Sequence, residues 1–402
     1  MVPALVPFAE TTARRRYRAF GIHERDRLAH LYLVGKTGVG KSSLIELFAR
    51  GDIAQGRGCA LIDPHGELAD RLVAYADQVG RPYLYLNATD PAQPFGFNPL
   101  RRVHDDKIPL AASGLIETLR KLWPDAWGVR MEHVLRNSLY ALLERRGSTL
   151  PDILRLFADK SFRKEVAASV RNPVVHAFWT AEFEKYPDRL KAEMVAPIQN
   201  KLGALLSDPA VFRILVSPEQ DLRFRTLIQE DATIIVNVAK GLLGEDSASI
   251  LGSFLVTVMG LAALSRAELP PAERRPFHLY VDEFQTFTTL SFANMMAELR
   301  KYGLGLTLAH QHLHQLDPDI RHAVFGNVGT LMVFRVGAED APFLSRELQP
   351  AFSELDLINL PNRHFYVRLM IHGSPSPPFS ARTLHIDDPA VISAAGEAAR
   401  TG

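Results

Sequence analysis

Three shortages in this chain each close off a class of explanation. It has one cysteine, Cys59, in 402 residues, so no disulfide framework can form within it. Cys59 lies in the apolar run Gly58-Cys59-Ala60-Leu61-Ile62 and reads as a core thiol, and a reducing cytoplasm is the expected compartment. The chain also lacks an apolar run long enough to span a membrane. The longest, Ile250 to Leu264, is interrupted by Gly252, Ser253 and Gly260. It reads as a buried helix, and no integral membrane segment is expected. Net charge is scarce as well: 46 basic residues against 45 acidic ones leave +1. That balance argues against a uniformly basic nucleic-acid coat but leaves room for a local basic channel. No secretory apolar core follows Arg14-Arg15-Arg16. This triplet reads as a solvated basic segment, or as a contact to nucleic acid or a neighbouring subunit.

What is present is a phosphate-binding loop. Residues 35–42 read Gly-Lys-Thr-Gly-Val-Gly-Lys-Ser and match G-x-x-x-x-G-K-[ST] at every fixed position. Gly35, Gly38 and Gly40 let the backbone curl so that successive N–H groups point at phosphate oxygens. Lys41 would set an ammonium against the β- and γ-phosphates, and Ser42 would offer a hydroxyl to Mg²⁺. The full binding run is Gly35, Lys36, Thr37, Gly38, Val39, Gly40, Lys41, Ser42 and Ser43. Its context agrees: residues 30–34 read as a buried strand, and residues 42–50 as the helix whose N-terminus faces the anion.

A length of 402 residues with 47% apolar content allows two or three domains, or one with a large insertion. Strands are expected at 30–34, 58–62 and 82–86, helices at 42–50 and 67–77, and a turn-rich break at 91–99. From about 105 to 225 apolar residues recur at helical spacing, as in Met131, Val134, Leu135, Leu139, Leu142 and Leu143. No strand is expected there, and Pro151, Pro173, Pro197 and Pro209 are expected to separate short helices. Alternation then resumes, with strands at 233–238, 277–281, 304–309, 329–335 and 365–371 and helices at 247–265 and 291–302. The pattern predicts an α/β, RecA-like nucleotide-hydrolase fold: a mostly parallel, three-layer sheet with an inserted all-helical domain. The divisions are an N-terminal segment 1–27, a first ATPase part 28–104, the helical insertion 105–225 and a second ATPase part 226–402.

A hydrolase of this class needs a carboxylate at another strand end to hold Mg²⁺, and a group that activates water. The run Phe277 to Val281, followed by Asp282-Glu283, supplies both: Asp282 for the metal and Glu283 for the water. The next strand ends in His310-Gln311-His312. Gln311 is a candidate γ-phosphate sensor. The alternating His310, His312 and His314 lack the cysteine or carboxylate cluster of a metal site. Arg300 and Lys301 precede that strand, and an arginine there reads as facing solvent or the helix C-terminus, or as crossing a subunit interface to a neighbour's nucleotide. No GTPase Asn-Lys-x-Asp is present, because Asn200-Lys201-Leu202 is followed by Gly203, and there is no ABC-type Ser-Gly-Gly signature.

With these residues assembled, the chain resembles the HerA/FtsK superfamily of ring ATPases, and within it the type IV secretion, or conjugative, coupling ATPases. The similar runs spread over nearly the whole chain. They include Asp26-Arg27, the phosphate loop, Asp52-Ile53 with Gly56 and Gly58, Asp63-Pro64-His65-Gly66-Glu67-Leu68, and Gly96-Phe97-Asn98-Pro99-Leu100. They continue through Trp127-Gly128, Arg130-Met131-Glu132, Asn200-Lys201-Leu202, Ala239 to Gly244, Asp282-Glu283-Phe284, and Arg300-Lys301-Tyr302-Gly303-Leu304 leading to Gln311. The resemblance implies ATP and Mg²⁺ as ligands, Arg300 acting in trans, a hexameric ring, and DNA threading a central pore. It also implies secretion or conjugation proteins as further partners. Membrane-bound coupling proteins carry N-terminal transmembrane helices, whereas this sequence starts almost directly at its ATPase part. It therefore reads as a cytoplasmic, soluble branch, or one whose partner supplies the membrane contact. Asp63 to Glu67 read as structural, a turn with Asp63 as a cap. Lys240 is a candidate phosphate contact for DNA, or a solvated loop lysine. Arg130 and Arg136 read as a solvated helix face, or as reaching a neighbour or DNA. Two other functions fit: an ATPase receptor or motor for protein substrates of a secretion system, and a nucleotide-gated ring scaffold in phage defence.

Overall fold

The structure is a computed structural model and describes residues 5–12, 17–123 and 127–388. The Arg14-Arg15-Arg16 triplet lies outside the described residues. One eleven-stranded sheet organises the chain. Its strands are β1 (Val6–Thr11), β2 (Ala19–Ile22), β3 (Leu31–Val34), β4 (Gly58–Asp63), β5 (Leu84–Asn87) and β6 (Thr233–Asn237). The rest are β7 (Phe277–Val281), β8 (Leu304–His310), β9 (Thr330–Val333), β10 (His364–Arg368) and β11 (Phe379–Thr383). The order across the sheet is β2-β1-β11-β10-β9-β3-β8-β7-β4-β6-β5. From β9 to β5 every neighbouring pair is parallel, and the remaining strands form an antiparallel edge.

The parallel strands are buried on both faces, so they read as continuous apolar runs, and their alternation divides the core in two. Leu31, Leu33, Leu61 and Ile235 point to one face, where they meet Leu44, Phe48, Leu68 and Leu72. Those residues belong to α1 (Lys41–Ala54) and α2 (Glu67–Val79). Tyr32, Val34, Ala60, Ile62 and Val236 point to the other face, into a core shared with the remaining helices. The result is three layers, α on β on α.

Between β5 and β6 the chain runs through α3 (Ile108–Leu122), α4 (Val129–Glu144), α5 (Asp188–Leu206) and several shorter helices. Its exit and return are clasped by a short parallel pairing, Phe95–Gly96 with Gln220–Asp221. This two-residue strand at 220–221 corrects the expectation of none in that stretch. It arises from long-range pairing and has no local pattern. Pro151, Pro173 and Pro209 each open a helix, but Pro197 sits inside α5. There the helix continues, because the hydrogen bond a proline forfeits is set against burial of Met194, Val195, Ile198, Leu202 and Leu205 along the same helix.

The long apolar helix is α6 (Glu245–Leu264). It leads into α7 (Leu290–Leu299) by way of β7. Among the described residues one helical stretch, 245–268, is long and apolar enough to cross a membrane, and 72% of its apolar window is buried in the fold. Gly252 meets the Phe287 ring and Gly260 meets Met295, so the interruptions noted in the sequence are packing surfaces.

Candidate nucleotide-binding and hydrolysis site

Register brings the motifs together. Val34 of β3 pairs with His310 of β8, Leu308 of β8 with Val281 of β7, and Val281 with Ile62 of β4. The residues following these strands therefore meet at one edge, the carboxyl ends of a parallel sheet, where α/β folds place ligands. Gly35 follows β3. Its N–H donates to the His310 carbonyl at 3.2 Å, and the Lys36 N–H donates to the Arg335 carbonyl at 2.9 Å. A Cβ on Gly35 would come within 2.6 Å of Phe334 Cβ. Gly38 and Gly40 have φ of 75° and 113°, so the curl of the loop uses the left-handed region that glycine enters freely.

Lys41 opens α1 and is buried. Its Nζ donates to the Gly35 carbonyl at 2.6 Å and the Lys36 carbonyl at 3.0 Å. Burial lowers its pKa, against the upward pull of Asp282 and Glu283. Ser42 Oγ donates to Asp282 Oδ2 at 2.6 Å. Burial raises Asp282, the Ser42 hydrogen bond lowers it, and neighbouring Glu283 raises it further. A hydroxyl and a buried carboxylate in contact form a hard-oxygen donor pair of the kind Mg²⁺ takes. Glu283 follows in a left-handed backbone conformation, φ 49°. Its Oε1 accepts from Gln311 Nε2 and its Oε2 from Gln285 Nε2. Gln311 Oε1 in turn accepts from Thr37 Oγ1 at 3.0 Å. The glutamine thus links the carboxylate to the phosphate loop. Thr37, Lys41, Ser42, Glu283 and Gln311 line a cleft of about 390 Å³.

A family model described as the type IV secretion-system coupling protein DNA-binding domain matches residues 19–348. The chain belongs to this family. None of the curated proteins is similar enough in sequence to count as a match. Among solved structures, the bacterial conjugative coupling protein TrwBdeltaN70, unbound, is 16% identical over 92% of this chain and 89% of its own, with a TM-score of 0.66. The plasmid coupling protein TrwB in complex with the ATP analogue ADPNP is 16% identical over 96% of both chains, with a TM-score of 0.67. VirB4 of Thermoanaerobacter pseudethanolicus is 14% identical over 97% of this chain and 98% of its own, with a TM-score of 0.65. At this identity they share the fold.

Several motifs that carry the coupling-family resemblance turn out to be internal fastenings. Asp63 accepts from the N–H groups of His65, Leu68 and Ala69 at 2.9–3.0 Å, capping α2. Asp26 accepts from the N–H groups of His372 and Gly373. Arg27 forms a two-pronged pair with Asp52, at 2.7 and 2.8 Å, and both residues are buried. Arg136 is half-buried and bonded to Glu132 and Ser113, while Arg130 lies 3.4 Å from Glu193. His310 turns inward, with Nδ1 against the Tyr32 hydroxyl at 2.6 Å. His312 and His314 lie 3.6 and 4.0 Å from Asp340.

Arg300 is not brought to this cleft. It is exposed at the amino end of β8, whereas Gln311 follows the carboxyl end, roughly 20 Å away along the strand. Conversely, the cleft contains residues that sequence reasoning missed: His65, Asn362 and Arg363. The Arg363 N–H donates to the Val39 carbonyl at 2.8 Å, and its backbone lies against Gly40. No local motif marks it, since it reaches the loop through the antiparallel edge of the sheet. Three roomier cavities, of about 480, 860 and 580 Å³, share no lining residue with this cleft.

Proposed function

We propose that this coupling-family chain is an ATP-hydrolysing motor that moves DNA through the central pore of a hexameric ring, as in conjugative type IV secretion. One observation carries the hydrolytic half of the reading. Lys41, Ser42, Glu283 and Gln311, from three strand ends, line one cleft, and Asp282 bonds Ser42 behind it. In this reading the loop N–H groups and Lys41 hold the phosphates. Ser42 and Asp282 hold Mg²⁺, which would supply charge neutralisation on the β- and γ-oxygens. Glu283 takes a proton from the attacking water, and Gln311 registers the γ-phosphate while holding Glu283 in place. Exposed Arg300 serves the neighbouring subunit's cleft, since it cannot serve its own. TrwB has been solved with analogues of both ATP and GTP.

The DNA half rests on family membership. Lys240, half-buried, opens a short helix, Lys240–Leu243, where a loop was expected after β6; it is the proposed phosphate contact, beside exposed Leu242. The test is steady-state ATP hydrolysis with and without DNA for the parent chain, Lys41→Ala, Glu283→Gln and Arg300→Ala. Stimulation by DNA in the parent and loss of hydrolysis in all three variants is the expected result. Full activity in Arg300→Ala would remove the trans arginine. Hydrolysis indifferent to every DNA would favour a protein substrate instead.

A further inference from the structure

The segment that follows Glu283 is gripped from outside the sheet, by one helix of the insertion. Lys121, in the last turn of α3, donates from Nζ to three backbone carbonyls: Gln285 at 2.8 Å, Thr286 at 2.7 Å and Thr288 at 2.9 Å. One turn earlier, Glu117 accepts from the Ser291 N–H at the start of α7. Gly114, close to one turn before that, lets α3 approach α6, since a Cβ there would lie 2.7 Å from Thr257 Cγ2. A single helix therefore holds residues 285–291 at both ends.

The geometry shows why the grip is needed. Phe284–Thr286 is a single 3-10 turn. Among the described residues no backbone N–H donates to the carbonyls of Gln285, Thr286 or Thr288. Lys121 fills all three, and Ser249 of α6 adds a second bond to the Thr286 carbonyl at 3.0 Å. The lysine as a whole is exposed, yet its ammonium is engaged three times. Burial lowers the Lys121 amine to about 7; while it is protonated, charge-assisted bonds in that number offset the rotamer entropy a long side chain gives up, roughly 2 kcal/mol. Gln285 sits inside the gripped turn and holds Glu283 Oε2. The end of α3 is itself fastened: Arg120 pairs with Glu132, which also accepts from Trp127 Nε1 at 2.7 Å and Arg136 at 2.8 Å.

We propose that Lys121 is a positioning residue for Glu283, fixing the 285–288 turn so that Gln285 holds the carboxylate facing Gln311. The rate of hydrolysis is thereby tied to α3 of the insertion. This rests on Glu283 being the group that activates water. The test uses the full chain with Lys121→Met, Lys121→Arg, Gln285→Ala and Glu283→Gln. It reads kcat and KM for ATP, affinity for a fluorescent ATP analogue, and amide hydrogen exchange across 283–291. The expected result for Lys121→Met is a kcat about tenfold lower, with KM and analogue affinity little changed and faster exchange confined to 284–291. Lys121→Arg should restore most of the rate, and Gln285→Ala should repeat the kcat loss without touching α3. An inactive Glu283→Gln beside fully active Lys121→Met and Gln285→Ala would overturn the clamp alone. So would affinity, rate and protection all falling together across the chain, the mark of a merely structural lysine. If Lys121→Met does not fold, Gln285→Ala decides: an unchanged kcat overturns the proposal. A fully active Glu283→Gln would overturn the reading of the cleft, and the proposal with it.

Discussion

At the scale of single residues, the candidate site holds a side chain in an uncommon backbone position by means of well-satisfied neighbours. Glu283 sits at φ 49° and ψ 49°, a conformation that costs a non-glycine residue about 1–2 kcal/mol. Its own N–H, bonded to Asp282 Oδ1 at 3.0 Å, and the two glutamine amides hold it there. Behind the site, Arg27, Asp52 and Tyr280 form a buried triad, with Arg57 3.6 Å from Asp52. The Tyr280 hydroxyl accepts from Arg27 and donates to Asp52 at 2.6 Å. Burial alone would raise Asp52, but the Arg27 guanidinium overrides it and holds the carboxyl at about 2. Asp52→Ala strips a buried guanidinium of its counter-charge. It should destabilise the fold by about 3–5 kcal/mol, read as a lower urea midpoint. A shift of less than about 1 kcal/mol would mean that water or Tyr280 compensates. The sequence named Asp26-Arg27 and Asp52 only by resemblance; their function as fasteners emerges when residues 25 and more positions apart meet. The residues of the candidate site were more legible, because Gly35 to Ser42 and Asp282-Glu283 are contiguous and follow β-branched or aromatic strand runs. Arg363 was illegible because its position depends on a long-range antiparallel pairing.

At the scale of elements, the parallel strands were legible because burial on both faces makes each a dense apolar run. Residues 277–281 match the expected strand end for end, and 58–63, 233–237 and 304–310 differ from expectation by a single residue. The edge strands were not, since Val6–Thr11 contains Pro7 and Ala19–Ile22 is short with a glycine. Their pairing with each other and with β11 supplies what local propensity withholds. The expected helix 291–302 closes as α7 to Leu299, then a 3-10 turn over Arg300–Tyr302. Gly303 at φ 76° ends it. Helix α6 shows packing overruling propensity. Replacing a mid-helix glycine by alanine ordinarily gains about 1 kcal/mol. At Gly252, however, a new Cβ would stand 2.2 Å from the buried Phe287 ring, in the segment Lys121 grips. Overpacking of this kind costs about 1–3 kcal/mol. Gly252→Ala should therefore lower the urea midpoint, and a raised midpoint would show that Phe287 swings aside freely.

At the scale of the whole molecule, the central sheet is threaded by histidines that folding keeps neutral. His30 precedes β3, His278 lies in β7 and His310 ends β8, and each is buried. His30 accepts from the Leu306 N–H at Nδ1, so its Nε2–H donates to the Met296 carbonyl at 3.0 Å, leaving no place for a second proton. Burial lowers His30 to about 4, with Arg300 adding to the effect. Burial also lowers His278 to about 3, aided by Arg27, and His310 to about 3, aided by Lys41. In the unfolded chain all three titrate near 6.5. Above that pH neither state takes the proton and their contribution to stability is complete. Below it the unfolded chain binds protons that the folded one refuses, so stability falls until the folded pKa values are reached. Between pH 7.5 and 5.5 each histidine should cost roughly 1.4 kcal/mol, and the three together about 4. Asp282, raised by burial, acts in the opposite direction and offsets part of this loss as it takes up its proton. Urea unfolding at pH 7.5, 6.5 and 5.5 should therefore show a midpoint that drops steeply over the last step. His278→Gln and His30→Gln, which carry no titrating group, should flatten the drop by about a third each. A midpoint independent of pH across this window would mean that the unfolded chain holds these rings neutral as well, and the sheet's acid sensitivity would have to lie elsewhere.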